Sequence, residues 1–144
     1  MPSLVTERIE SVKAGIIGAG AFGVAELVLF LARNVAASIF PKLGLSAIAI
    51  DLTWLISLAI GAVSGFLFGV TYRYIIRSDR NSHLNDGAVL AFGLVRGLAL
   101  IEKNLNLSEL LSLGSLVLQS IICFTIARLV LDLAIARKYL KPFL

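Results

Sequence analysis

Charge is the scarcest commodity in this chain: only 15% of its 144 residues are Asp, Glu, Lys or Arg, against 58% hydrophobic. Together with a mean hydropathy of +0.94, that scarcity lies far outside the range of soluble domains and excludes an ordinary water-soluble fold. Cysteine occurs once, as Cys123, so no disulfide can form within the chain and no thiol cluster can hold a metal. Its position inside an apolar run points to packing. The single histidine, His83, sits in a polar stretch with Asp79 and Asp86 nearby, and one histidine with two solvated carboxylates falls short of a metal site. No histidine lies in an apolar run, which argues against an ordinary haem or chlorophyll protein, although Glu, Asn, Gln or water can also ligate pigment. The chain also lacks a nucleophile–base pair, an HExxH motif and a P-loop lysine. These absences lead us to expect no enzyme, no metal and no cofactor, with lipid or pigment left open as ligands.

Four apolar windows are present, near residues 14–32, 45–72, 86–101 and 110–136. Crossing a hydrocarbon core of about 30 Å takes on the order of 20 helical residues. A chain of this length cannot bury four such helices in a soluble core. The expected fold is all-α: one integral membrane domain over residues 1–144, built as a four-helix bundle. Ser3 to Val12 places Leu4, Val5, Ile9 and Val12 opposite Glu7, Arg8 and Glu10, which predicts a short interfacial helix over about 3–12. Glu7 and Glu10, with no clean cleavage site after the apolar run, argue against a signal peptide.

Glycine supplies the packing signal. Gly61, Gly65 and Gly69 recur every four residues and share one helix face, where a second backbone can approach closely. Gly15, Ala19 and Gly23 form the expected partner face on the first span, and Gly93 and Gly97 a further one on the third. The spacing predicts glycine-zipper packing. The string Gly18-Ala-Gly20-Ala-Phe-Gly23 also matches G-x-G-x-x-G, with Asp51 as the acid that would follow. However, Asp51 lies 28 residues beyond Gly23, the intervening helix is too apolar, and no βα alternation follows. Gly87-Ala-Val-Leu-Ala-Phe92 echoes Gly61-Ala-Val-Ser-Gly-Phe66, a faint internal repeat.

The net charge of +4 is best read through topology rather than as affinity for nucleic acid. With the N-terminus inside, Arg8, Lys13, Arg73, Arg77, Arg80, Arg137, Lys138 and Lys141 lie on that side, and only Arg33, Lys42 and Lys103 on the other. That bias places both termini on the same, cytoplasmic or stromal, side. Tyr72, Arg73 and Tyr74 read as an interfacial anchor, as do Lys138, Tyr139, Lys141 and Phe143.

Ionisable residues within spans are the strongest functional pointers, since each costs at least ~2.5 kcal/mol at mid-span unless paired or hydrated. Glu26, Asp51 and Arg96 all fall roughly 9–11 Å below the outer boundary at 1.5 Å per residue. The expected geometry is an intramembrane cluster of the three, net negative, able to carry a proton or cation through Glu26. Arg128 and Asp132 are one turn apart and should pair within their helix. Gln119 lies near the middle of the same span.

Two resemblances follow from these residues. Gly69-Val-Thr-Tyr-Arg-Tyr and Gly87-Ala-Val-Leu-Ala-Phe-Gly-Leu-Val-Arg-Gly97 resemble small uncharacterised four-helix membrane proteins of cyanobacteria and plastids. More loosely, the region is similar to the family that includes the mitochondrial import channel subunits and the plastid outer-envelope amino-acid channel, with Arg77, Asp79, Gly87 and Gly93 as corresponding positions. The resemblances imply a bacterial inner, thylakoid or plastid membrane. The expected role is an accessory, scaffold or assembly subunit of a larger membrane complex, photosynthetic if the first resemblance holds, with lipids and other membrane proteins or further copies as partners. The alternative is a small channel or transporter subunit using the Glu26/Asp51/Arg96 site.

Overall fold

The computed structural model describes residues 3–45, 47–76, 81–103 and 110–143. Those residues form four α-helices in antiparallel succession: α1 (Leu4–Ile39), α2 (Leu52–Ile75), α3 (Ser82–Lys103) and α4 (Leu110–Ala136). All four are long and apolar enough to cross a membrane. Arg77, Asp79 and Arg80 lie outside the described residues.

Helix α1 absorbs both the interfacial segment and the first span into one rod of 36 residues, about 54 Å long at 1.5 Å per residue. No proline or turn signal separates Val12 from Ala14, so nothing interrupts the intrahelical ladder. Ser3 caps its start by accepting from the Thr6 N–H at 3.2 Å. The helix stops at Phe40 because the residue before a proline is driven out of the α region, and Pro41 opens a 3-10 turn over Pro41–Leu43. The second span starts later than its apolar run. Asn34 holds the non-helical segment before it by donating to the Ile48 carbonyl at 3.2 Å and accepting from the Ile48 N–H at 2.9 Å. Asp51 then caps α2, accepting from the Trp54 N–H at 2.8 Å.

The helices pack chiefly as α1 on α2, α3 on α4 and α1 on α4, while α2 touches α3 and α4 sparingly. The α1–α2 seam is a backbone-to-backbone approach. A side chain at Gly18 would run into the Gly65 carbonyl and stand 3.0 Å from the Gly69 Cα; one at Gly65 would stand 2.7 Å from the Gly18 carbonyl and 3.2 Å from the Ala19 Cα. Gly15 abuts the Phe66 ring, and Gly69 lies against Ala14. Gly23, expected on this seam, faces open space, and Gly18 stands in its place. The contact face on α1 is Ala14, Gly15, Gly18, Ala19 and Phe22, and a fixed spacing of four from Gly15 leaves it only at Gly23. On the α3–α4 seam Gly93 meets the Ile121 Cα at 3.0 Å and Gly97 the Val117 Cα at 2.8 Å, measured from an added Cβ.

Where the helix pairs meet, Phe22, Phe68, Phe92 and Phe124 form a continuous aromatic layer. Ring centroids are 4.8 Å apart for Phe22–Phe124, 5.2 Å for Phe68–Phe124 and 5.4 Å for Phe68–Phe92. The outward faces are mainly Leu, Ile and Val, as lipid favours: Leu111, Val95 and Ile16 are 89%, 72% and 61% exposed.

Replacing Gly65 by Leu is expected to cost about 3 kcal/mol or more, because the seam has no space to yield, and to collapse the monodisperse yield in detergent. Gly114→Leu, at a position with no atom within 4 Å, should leave that yield at the wild-type level. Equal yields for the two would show that the α1–α2 approach does not hold the bundle together.

Candidate functional site

Inside the bundle, where α1 faces α2 and α3, Glu26 and Arg96 meet. Glu26 Oε1 accepts from Arg96 Nη2 at 3.2 Å, and the same nitrogen donates to the Ser57 carbonyl at 3.3 Å. The guanidinium carbon lies 5.1 Å from the Phe22 ring centroid, so the arginine is clamped between a carboxylate, a carbonyl and an aromatic face. Both side chains are nearly sealed, 11% and 9% exposed. The other carboxylate oxygen, Glu26 Oε2, is buried with no hydrogen-bond partner, a costly arrangement that natural proteins keep sparingly.

Gly61 makes room for this pair. A Cβ there would lie 2.7 Å from the Phe22 ring and 2.9 Å from Arg96 Nη2, and would run into Glu26 Oε2. The first glycine of the α2 row therefore faces a charge pair, while Gly65 and Gly69 face backbone.

Asp51, the third expected member, is not in the cluster. Its carboxylate caps α2 and its backbone is extended (φ −125°, ψ 177°), outside the helix that was to carry it into the membrane. Asp is among the preferred N-cap residues, and that local chemistry sets the start of α2. One carboxylate against one arginine makes the site close to neutral rather than net negative.

Arg128 and Asp132 approach within 3.6 Å across one turn of α4, but each has a further partner on another helix. Arg128 pairs with Asp86 at the start of α3, and Asp132 accepts from the Tyr72 hydroxyl of α2 at 2.6 Å. This network joins three helices at the end of the bundle where α3 begins.

The same end holds a second network, centred on Arg73. Expected at the interface, Arg73 has a side chain that is 0% exposed. Its Nη2 donates to Glu7 Oε2 at 2.5 Å, Nη1 to Ser11 Oγ at 2.8 Å and to the Glu7 carbonyl at 3.2 Å, and Nε to the Lys141 carbonyl at 2.9 Å. The Lys141 N–H donates to Glu10 Oε2 at 3.1 Å, so the tail after α4 is tied to the start of α1. Tyr74 and Phe143 rings flank the guanidinium at 6.0 and 5.8 Å. At the opposite end, Arg33 reaches Ser115 and Ser112 of α4 at 3.5 Å each.

A signal for Arg73 existed: Gly61, Gly65, Gly69 and Arg73 form one row at a spacing of four, and Gly18, Ala14, Ser11 and Glu7 form the row it packs against. The partners of Arg128 and Asp132 depend on how α3 and α2 sit around α4, which no spacing within one helix reveals. Among the described residues no cluster of His, Cys, Asp and Glu could hold a metal ion. Comparison of the chain with protein-family models, with curated proteins and with solved structures gives no match.

Gly61→Ala is expected to displace the Glu26–Arg96 pair and destabilise the protein by about 1–3 kcal/mol, read as a lowered midpoint of unfolding in mixed detergent. A midpoint at or above the wild-type value would place the carboxylate elsewhere.

Proposed function

We propose that the chain is a non-enzymatic, multi-pass membrane protein that works as an accessory or assembly subunit, binding other membrane polypeptides through the outward stripe of α1. The observation carrying this reading is that Gly20 and Gly23 have no atom within 4 Å of where a side chain would stand. They lie on a face with the exposed Ile16, Val24, Leu27 and Leu31. In our reading Gly15, Gly18, Gly61, Gly65, Gly69, Gly93 and Gly97 form a glycine zipper spent inside the bundle, whereas Gly20 and Gly23 stand open near the middle of α1. Association in lipid relies on close backbone approach rather than on a hydrophobic driving force, so an unused glycine pair at mid-span favours a helix from another chain. The resemblance to small cyanobacterial and plastid proteins supports a photosynthetic setting, in a bacterial inner or thylakoid membrane. The positive-residue bias supports cytoplasmic or stromal termini. The double variant Gly20→Leu/Gly23→Leu should fold with wild-type yield but emerge from its own membrane at a lower native mass, stripped of companions. Unchanged mass and companions would defeat the reading.

A second reading, a small channel or transporter subunit, is favoured by one observation, the unpartnered Glu26 Oε2. A carboxylate oxygen held without a partner next to an arginine is a position at which a proton or cation could be taken up. On this reading Glu26→Gln alters proton or cation flux in proteoliposomes at unchanged folded yield. Identical flux in wild type and variant would end it.

A further inference from the structure

The sparing contact between α2 and α3 leaves a groove of about 540 Å³ on the lipid-facing side of the bundle. Its walls are Ile56, Ile60 and Leu67 of α2 and Val95 and Ala99 of α3, and its floor is Phe92 and Phe124. Two cations belong to the lining: Arg96 at mid-depth and Lys103 at the end of α3. Arg96 is countered by Glu26, but Lys103 makes no ion pair among the described residues. The groove is thus an apolar slot with a positive charge at its mouth that has no ion-pair partner among the described residues, about 16 Å along the helix from Phe92 at 1.5 Å per residue.

We infer that this groove seats one acyl chain of an anionic phospholipid, whose phosphate is held by Lys103. Three features select that occupant. The volume falls within the range of small-molecule sites. Unlike the two helix seams, this lining contains no glycine, the residue that gives a partner helix the closest backbone approach. The charge sits at one end only, matching an amphiphile with an anionic head and an apolar tail. A basic residue beside an apolar slot between spanning helices is the arrangement that recognises acidic headgroups.

Native mass spectrometry of the full chain released from micelles tests this, with equimolar dioleoylphosphatidylglycerol and dioleoylphosphatidylcholine as the probes. One phosphatidylglycerol should be retained per chain, in about tenfold preference to phosphatidylcholine. Lys103→Gln should abolish that preference, and Ala99→Phe, which fills the slot from an exposed position, should lower retention of both lipids about tenfold. Both positions lie away from the α1 stripe, so companions governed by Gly20 and Gly23 are unaffected. Equal retention of the two lipids by wild type, or phosphatidylglycerol retention unchanged in both variants, overturns the proposal. So does a co-purified polypeptide that phosphatidylglycerol cannot displace and that Ala99→Phe removes.

Discussion

Ala14, Gly18, Gly65 and Gly69 bring the backbones of α1 and α2 together with no side chain between them, and the rest of the bundle is placed by that approach. In hydrocarbon every backbone group must find its partner within its own helix, so helices can meet only through what their surfaces carry. Bare backbone allows the shortest separation. Phe22 and Phe68 therefore reach the same level and, with Phe124, close the centre. The α3–α4 pair, whose Gly93 and Gly97 meet Ile121 and Val117, lies against α1 mainly through α4.

Charge follows the same rows. The glycine row of α2 begins beside Glu26 and ends in Arg73, so the seam that excludes side chains in its middle has an ion pair at each end. Buried pairs of this sort contribute little net stability, because desolvation offsets most of the attraction, but removing one partner alone is strongly unfavourable. They act as register marks: with Arg73 of α2 bonded to Glu7 and Arg96 of α3 to Glu26, α1 cannot slide by a turn along α2 or α3 without stranding a charge.

How much of this was legible in the residues varies with how local the cause is. The four helices follow from apolar length alone. The α2 face was readable from Gly61, Gly65 and Gly69, since three equal steps define a row. On α1, Gly15 and Ala19 do meet α2, but Gly23 does not, because the packed strip also runs through Ala14, Gly18 and Phe22 and a fixed step of four leaves it after one turn. Asp51 was misplaced for the opposite reason: hydropathy carried the second span back to Leu45, while side-chain bonds from Asn34 and the capping preference of aspartate delay the helix to Leu52. The Glu26–Arg96 approach could be anticipated from matching depths, but the partners of Arg128 could not, since Asp86 comes from the start of a helix that extends four residues beyond its apolar window.

The unbroken course of α1 has a mechanical meaning. Its first turns are gripped at the bundle end by Arg73 and the tail, and Glu26 is carried by the same rod. Sixteen residues separate Glu10 from Glu26, about 24 Å of helix. A tilt of about 5° about that end would carry the Glu26 carboxylate through about 2 Å over that arm. One unbroken rod thus ties the Arg73 network at one end of the bundle to the Glu26–Arg96 pair.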